Sequence, residues 1–130
     1  MDIKSIINDF LNEEKYFNDL RVEGVFFYGS YQTKTNTNKS DIDLIIVYND
    51  NSNKEKIKAY KQFKGYNFEY FERSLKDIYN RVDTDYNNFE DTLLSAIGYG
   101  EILSDRNNNL KKLKEYVLEK YKNGLPKLDK

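Results

Sequence analysis

The chain contains no cysteine and no histidine. Without cysteine there is no disulfide framework and no thiolate chemistry. Without histidine, Ser-His-Asp catalysis, the usual zinc ligands and the commonest general base are all excluded. An excess of one charge sign is missing too. Lys and Arg number 21 and Asp and Glu 22, for a formal net charge of −1. That balance provides no general pull toward nucleic acid or an anionic membrane. The N-terminal Met1-Asp2-Ile3-Lys4 opens no long apolar run, so no signal peptide or membrane span is expected, and a cytoplasmic protein is. Any chemistry must therefore run on carboxylates, hydroxyls, Lys, Arg and metal ions.

What is present suits a folded domain. At 130 residues, with 38% hydrophobic and 33% charged, the chain is expected to form a single domain, residues 1–130, around one modest core. Apolar residues from Ile3 to Leu20 recur at helical spacing and predict an amphipathic helix over 3–20. Val22 to Tyr28 is a β-branched and aromatic run that reads as a buried strand ending at Gly29. Polar residues 30–39 read as a loop with one helical turn after Ser30. Asp41 to Tyr48 predicts a second strand, Asn49 to Asn53 a turn, Lys54 to Phe63 a weak helix, and Tyr66 to Glu72 a third strand. Ser74, with Asp77 three residues on, predicts the N-cap of the next helix. Phe89 to Ile97 and Leu110 to Tyr121 predict two more helices, with Gly98 and Gly100 stopping the first and Gly124 and Pro126 the second. Helices interleaved with strands imply an α/β fold with a small, mixed β-sheet flanked by helices.

The segment Gly29-Ser30, ten residues, then Asp41-Ile42-Asp43 carries the chemistry. Side chains alternate across a strand, so Asp41 and Asp43 share one face while Ile42, Leu44 and Ile46 take the other. Two carboxylates side by side repel unless something positive lies between them. A hard divalent cation with oxygen ligands fits, and Mg²⁺ commonly shares its shell with phosphates. Gly29 lets a ligand approach the backbone closely. Ser30 offers a hydroxyl and begins a turn whose N–H groups suit a phosphate. Lys34, in the loop after Ser30, could itself reach a phosphate. Glu69, set among aromatic residues of the third strand, is costly to bury unpaired and is the candidate third acid. There it would ligate the metal or take a proton from an acceptor hydroxyl. Glu72, of opposite parity, is the alternative.

Gly29-Ser30-x10-Asp41-x-Asp43 with a later strand acid resembles the nucleotidyltransferase superfamily. The similarity is to the minimal nucleotidyltransferases and to the N-terminal domains of aminoglycoside nucleotidyltransferases. It extends over roughly residues 22–105, ending in Gly100-Glu101-Ile102-Leu103-Ser104-Asp105. The resemblance implies a DNA polymerase beta-like palm and transfer of a nucleoside monophosphate, AMP, from an NTP to a hydroxyl with two Mg²⁺ ions. It implies that Gly29 and Ser30 bind the triphosphate, that Asp41 and Asp43 ligate metal, and that Glu69 stands where many members have aspartate. It also suggests an antitoxin role beside a helical toxin, with a protein hydroxyl or an aminoglycoside-like small molecule as acceptor, and leaves pairing into a homodimer open. A non-catalytic binding module of the same fold is the alternative from a different functional class.

Overall fold

Strand-forming and amphipathic runs alternate along the chain, and the computed structural model, which describes residues 2–37, 39–52 and 57–124, shows what they become. In chain order the elements are α1 (Ile3–Glu13), β1 (Val22–Tyr28), α2 (Ser30–Thr33), β2 (Ile42–Tyr48), β3 (Ile57–Phe63), β4 (Tyr66–Ser74), α3 (Leu75–Asn87), α4 (Thr92–Gly98), β5 (Glu101–Asp105) and α5 (Asn109–Lys122). The five strands form one sheet in the order β3-β4-β2-β1-β5. The β2/β4 pair is parallel and the other neighbours are antiparallel. This is the small mixed sheet expected from the sequence.

Strand β2 is apolar on both faces because both are covered. On one side α1 lays Ile6, Ile7, Phe10 and Leu11 over Ile42, Leu44, Phe68 and Tyr70. On the other, α3, α4 and α5 bring Ile78, Val82, Ile97, Leu113 and Val117 against Phe26, Ile45 and Val47. Ser74 caps α3 as expected, its hydroxyl accepting from the Asp77 N–H at 3.2 Å. Among the described residues, no helix is long and apolar enough to cross a membrane.

Four expectations change. The first helix ends at Glu13 rather than Leu20, because Lys15 takes a left-handed backbone (φ 64°) and a short 3-10 turn, Tyr16–Asn18, follows. Tyr16 is thereby drawn inward, where its hydroxyl donates to buried Glu72. The weak helix at Lys54 to Phe63 is, over 57–63, edge strand β3. It joins β4 through Lys64 and Gly65, whose φ values of 50° and 83° are those a tight two-residue hairpin requires. Strand β5 was not expected. It lies so close to β1 that a Cβ on Gly24 would sit 2.1 Å from the Ser104 carbonyl oxygen. Phe89 (φ 61°) precedes α4 rather than opening it. The expected turn residue Asn53, the start of the weak helix at Lys54 and the stop signal Pro126 lie outside the described residues.

Phe10 joins α1 to the sheet through three aromatic contacts. Its ring stacks on Phe68 at 4.1 Å between centroids and meets Tyr70 and Phe63 edge-on. Truncation to alanine removes these contacts and opens a cavity. Phe10→Ala is expected to lower the unfolding free energy by about 3–5 kcal/mol in urea with an unchanged denaturant slope. A loss below about 1 kcal/mol would show that α1 is not clamped to the sheet through this ring.

Candidate active site

The site begins where β1 ends. Gly29 has φ 86° and ψ −166°, a conformation open essentially to glycine alone. A Cβ there would lie 2.1 Å from Asp43 Oδ2. The glycine is therefore required twice, for its backbone and for the room it leaves a carboxylate. Ser30 then starts the single turn α2, closed by the Thr33 N–H on the Gly29 carbonyl (3.1 Å) and the Thr35 N–H on the Ser30 carbonyl (2.8 Å). The first N–H groups of such a turn have no acceptor within it.

Strand register does the rest. Tyr28 of β1 pairs with Asp43 of β2, Asp43 with Glu69 of β4, and Glu69 with Tyr60 of β3. Directly paired residues share a face, so Tyr28, Asp43, Glu69 and Tyr60 form one row across four strands. Asp41 lies just before β2, beside a shallow cleft with Tyr60, Lys61 and Asn67. Glu72 takes the opposite face, buried, where Tyr16 and Tyr48 hydrogen-bond to its carboxylate. The register thus brings Glu69, not Glu72, beside Asp43.

The row is electrostatically loaded. Burial, then the charge of Glu69, then that of Asp41, push the Asp43 carboxyl from 3.8 up to about 7. Burial, then the charges of Asp43 and Glu69, hold the Tyr28 phenol well above its ordinary range. Among the described residues, no three acidic side chains are gathered tightly enough to make a ready-formed metal site. Glu69 is instead paired with Lys58 of β3, at 3.2 Å. The donor set nevertheless fits a hard divalent cation. All three acids offer oxygen, and the crowding that raises Asp43 is what such a cation relieves.

Lys34 lies at the end of α2 with a left-handed backbone. It lines a cavity with Lys4, Phe27, Tyr31 and Tyr66, and Phe27 and Tyr31 belong to the α1 side of the sheet. Lys34 is not brought among the acids. A second cavity, of about 260 Å³, adjoins the row on the acid face. Tyr28, Ile45, Phe71 and Arg73 form its floor, and Arg81 and Leu93 its wall.

Sequence reasoning missed Lys58 and Tyr60, because a helix at 54–63 would not set them on one face with Glu69. Two signals were available. Ala59 and Phe63 alternate with Lys58, Tyr60 and Gln62, and Lys64-Gly65 supplies a hairpin turn.

Comparison with known proteins agrees with this architecture. The family model for "Polymerase beta, Nucleotidyltransferase" matches residues 7–109. No curated protein sequence matches the chain. Among solved structures, the chain resembles a nucleotidyltransferase-like protein from Exiguobacterium sibiricum 255-15, with a TM-score of 0.70 and 15% sequence identity. The match covers 90% of this chain and 39% of that one, so the chain spans about two fifths of that protein's length.

The charge on Asp43 has a consequence for stability. Its folded-state proton affinity exceeds that of the unfolded chain. Stability is therefore fully present below 3.8 and declines as pH rises from there through about 7. The carboxyl is only partly buried, which reduces the effect through solvent screening. Asp43→Asn is expected to raise the unfolding free energy of the metal-free chain by about 1–2 kcal/mol near pH ~8, the gain shrinking toward pH ~4. Urea unfolding in chelator across that range tests it. A gain that does not vary with pH would show that Asp43 carries no excess charge.

Proposed function

The chain belongs to the polymerase beta nucleotidyltransferase family, and from that premise we propose that it transfers a nucleoside monophosphate from a nucleoside triphosphate to a hydroxyl acceptor with the help of Mg²⁺. The observation that carries this is the Asp43 carboxylate, seated against Gly29 Cα and flanked by Glu69 in a strand row. It ties a backbone turn suited to phosphate to a group of acids suited to a divalent cation.

In this reading the N–H groups opening α2 and the Ser30 hydroxyl hold the triphosphate tail. Asp41 and Asp43, with Glu69 beside them, would hold the metal. When bound, Mg²⁺ neutralises the phosphate oxygens and acidifies the acceptor hydroxyl. Glu69 accepts the acceptor proton as the acceptor oxygen bonds to the α-phosphorus. The bond from that phosphorus to the bridging oxygen of the β-phosphate breaks, and pyrophosphate leaves. The cavity beside Tyr28 and Phe71 has room for one ring of the bound reactants. On the resemblance already described, the nucleotide is ATP and the acceptor a hydroxyl of a helical toxin or of an aminoglycoside-like molecule.

One observation favours the second reading, a non-catalytic binding module of the same fold. Glu69 is engaged by Lys58. The two readings separate in calorimetry of Mg-ATP binding. The native chain is expected to bind, and the double variant Asp41→Asn, Asp43→Asn to lose at least about tenfold in affinity. A native chain that binds no Mg-NTP sinks the enzyme reading.

Glu69→Gln is expected to slow transfer of labelled AMP by about a hundredfold or more. Its nucleotide affinity should stay within about threefold of native, because Glu69 acts on the acceptor. Glu72→Gln, altered on the far face of β4, is expected to transfer at the native rate. The reverse pattern would mean that the third acid has been misassigned.

A further inference from the structure

Lys58 is a residue for which the proposed mechanism has no role. It stands on edge strand β3, two residues before Tyr60, and so on the face of the sheet that carries the acid row. Its ammonium lies 3.2 Å from Glu69 Oε1, with its side chain half exposed and that of Glu69 23% exposed. The same ammonium lies 5.5 Å from the ring centroids of both Tyr60 and Phe71. Contact with the Tyr60 hydroxyl and with Glu69 keeps Lys58 firmly protonated. Among the described residues, no other cation forms an ion pair with Asp41, Asp43 or Glu69.

A purely structural account is available. An exposed cross-strand pair is common and adds little to stability. Three features of this pair exceed that account. The partner is the acid that register places beside Asp43. The engaged carboxylate is one the proposed chemistry needs available. The cation is a lysine, a point charge with three donors on a flexible stem, which redirects more readily than the planar fork of an arginine.

We propose that Lys58 is a positioning residue that exchanges partners: it holds Glu69 in the nucleotide-free chain and turns to the α-phosphate, the one the acceptor attacks beside Glu69, when a metal-bound nucleoside triphosphate enters. The proposal rests on the nucleotidyltransferase reading of the same site. The triphosphate brings more negative charge than one carboxylate, so it competes successfully for the ammonium. The exchange frees Glu69 at the moment the acceptor needs it. Before nucleotide arrives, the ammonium keeps Glu69 from completing a site for a metal ion alone.

A partner exchange makes two affinities move in opposite directions. Lys58→Met is expected to bind Mn²⁺ alone about threefold more tightly, because Glu69 is released, and Mg-ATP about tenfold more weakly, because a phosphate contact is lost. Lys58→Arg, which keeps the charge but redirects less readily, is expected to bind Mg-ATP about threefold more weakly than native, a smaller loss than Lys58→Met. Mn²⁺ binding read by electron paramagnetic resonance and Mg-ATP binding read by calorimetry give both numbers without relying on activity. If Lys58→Met leaves both affinities unchanged, or shifts both the same way, the exchange is overturned while native Mg-ATP binding upholds the enzyme reading. A native chain that binds no Mg-ATP overturns both.

Discussion

The contact on which the site depends is the seat of the Asp43 carboxylate against the Cα of Gly29. An oxygen occupies the space that a Cβ would fill in any other residue. Gly29 also holds a backbone conformation that other residues rarely adopt. Strand end, turn and acid are thereby locked into one unit, with α2 beginning in the next residue. The lock holds a charge where burial and two neighbouring carboxylates disfavour it. Stored electrostatic cost of this kind recurs at functional sites, where a ligand relieves it.

Strand β4 shows how alternation assigns opposite roles to acids of one type. Glu69 and Glu72 are three residues apart, so they leave opposite faces of the strand. Glu69 joins the row with Asp43 and Tyr60. Glu72 goes beneath α1 and the turn that follows it, where the Tyr16 and Tyr48 hydroxyls both donate to its Oε2. Burial raises the Tyr16 and Tyr48 phenols well above their usual range, and the negative charge and hydrogen bonding of Glu72 add to the effect, so both remain hydrogen-bond donors. One carboxylate is part of the scaffold and the other belongs to the acid row.

Much of this was legible residue by residue. The two-residue period of a strand is enough to put Asp41 and Asp43 on one face and Ile42 and Leu44 on the other. Ser74 and Asp77 announced the start of α3. The end of α1 was not legible, because Phe17 and Leu20 continue the helical spacing while Lys15 breaks the backbone. Leu20 proves to be 78% exposed, so its apparent periodicity reports no buried face. Strand β3 was obscured for a related reason. At the sheet edge it is solvated along most of its length, so polar residues occupy both faces and no clear period remains. With β3 misread, Lys58 and Tyr60 could not be placed beside Glu69. Strand β5, five residues long and half-buried throughout, carried too short a pattern to register.

By itself the sequence determined which chemical groups are available and which of them share a local face. The lack of histidine and cysteine leaves carboxylates, hydroxyls and lysines, and the Asp41-x-Asp43 spacing pairs two of the carboxylates. Tertiary structure alone decided who their neighbours are. The parallel register of β2 on β4 sets Glu69 beside Asp43, and the β3 hairpin brings Lys58 to Glu69. The physical reason is that side-chain alternation is a property of one strand. Strand order and register arise from packing between segments far apart in the chain, with α1 on one face of the sheet and α3 to α5 on the other.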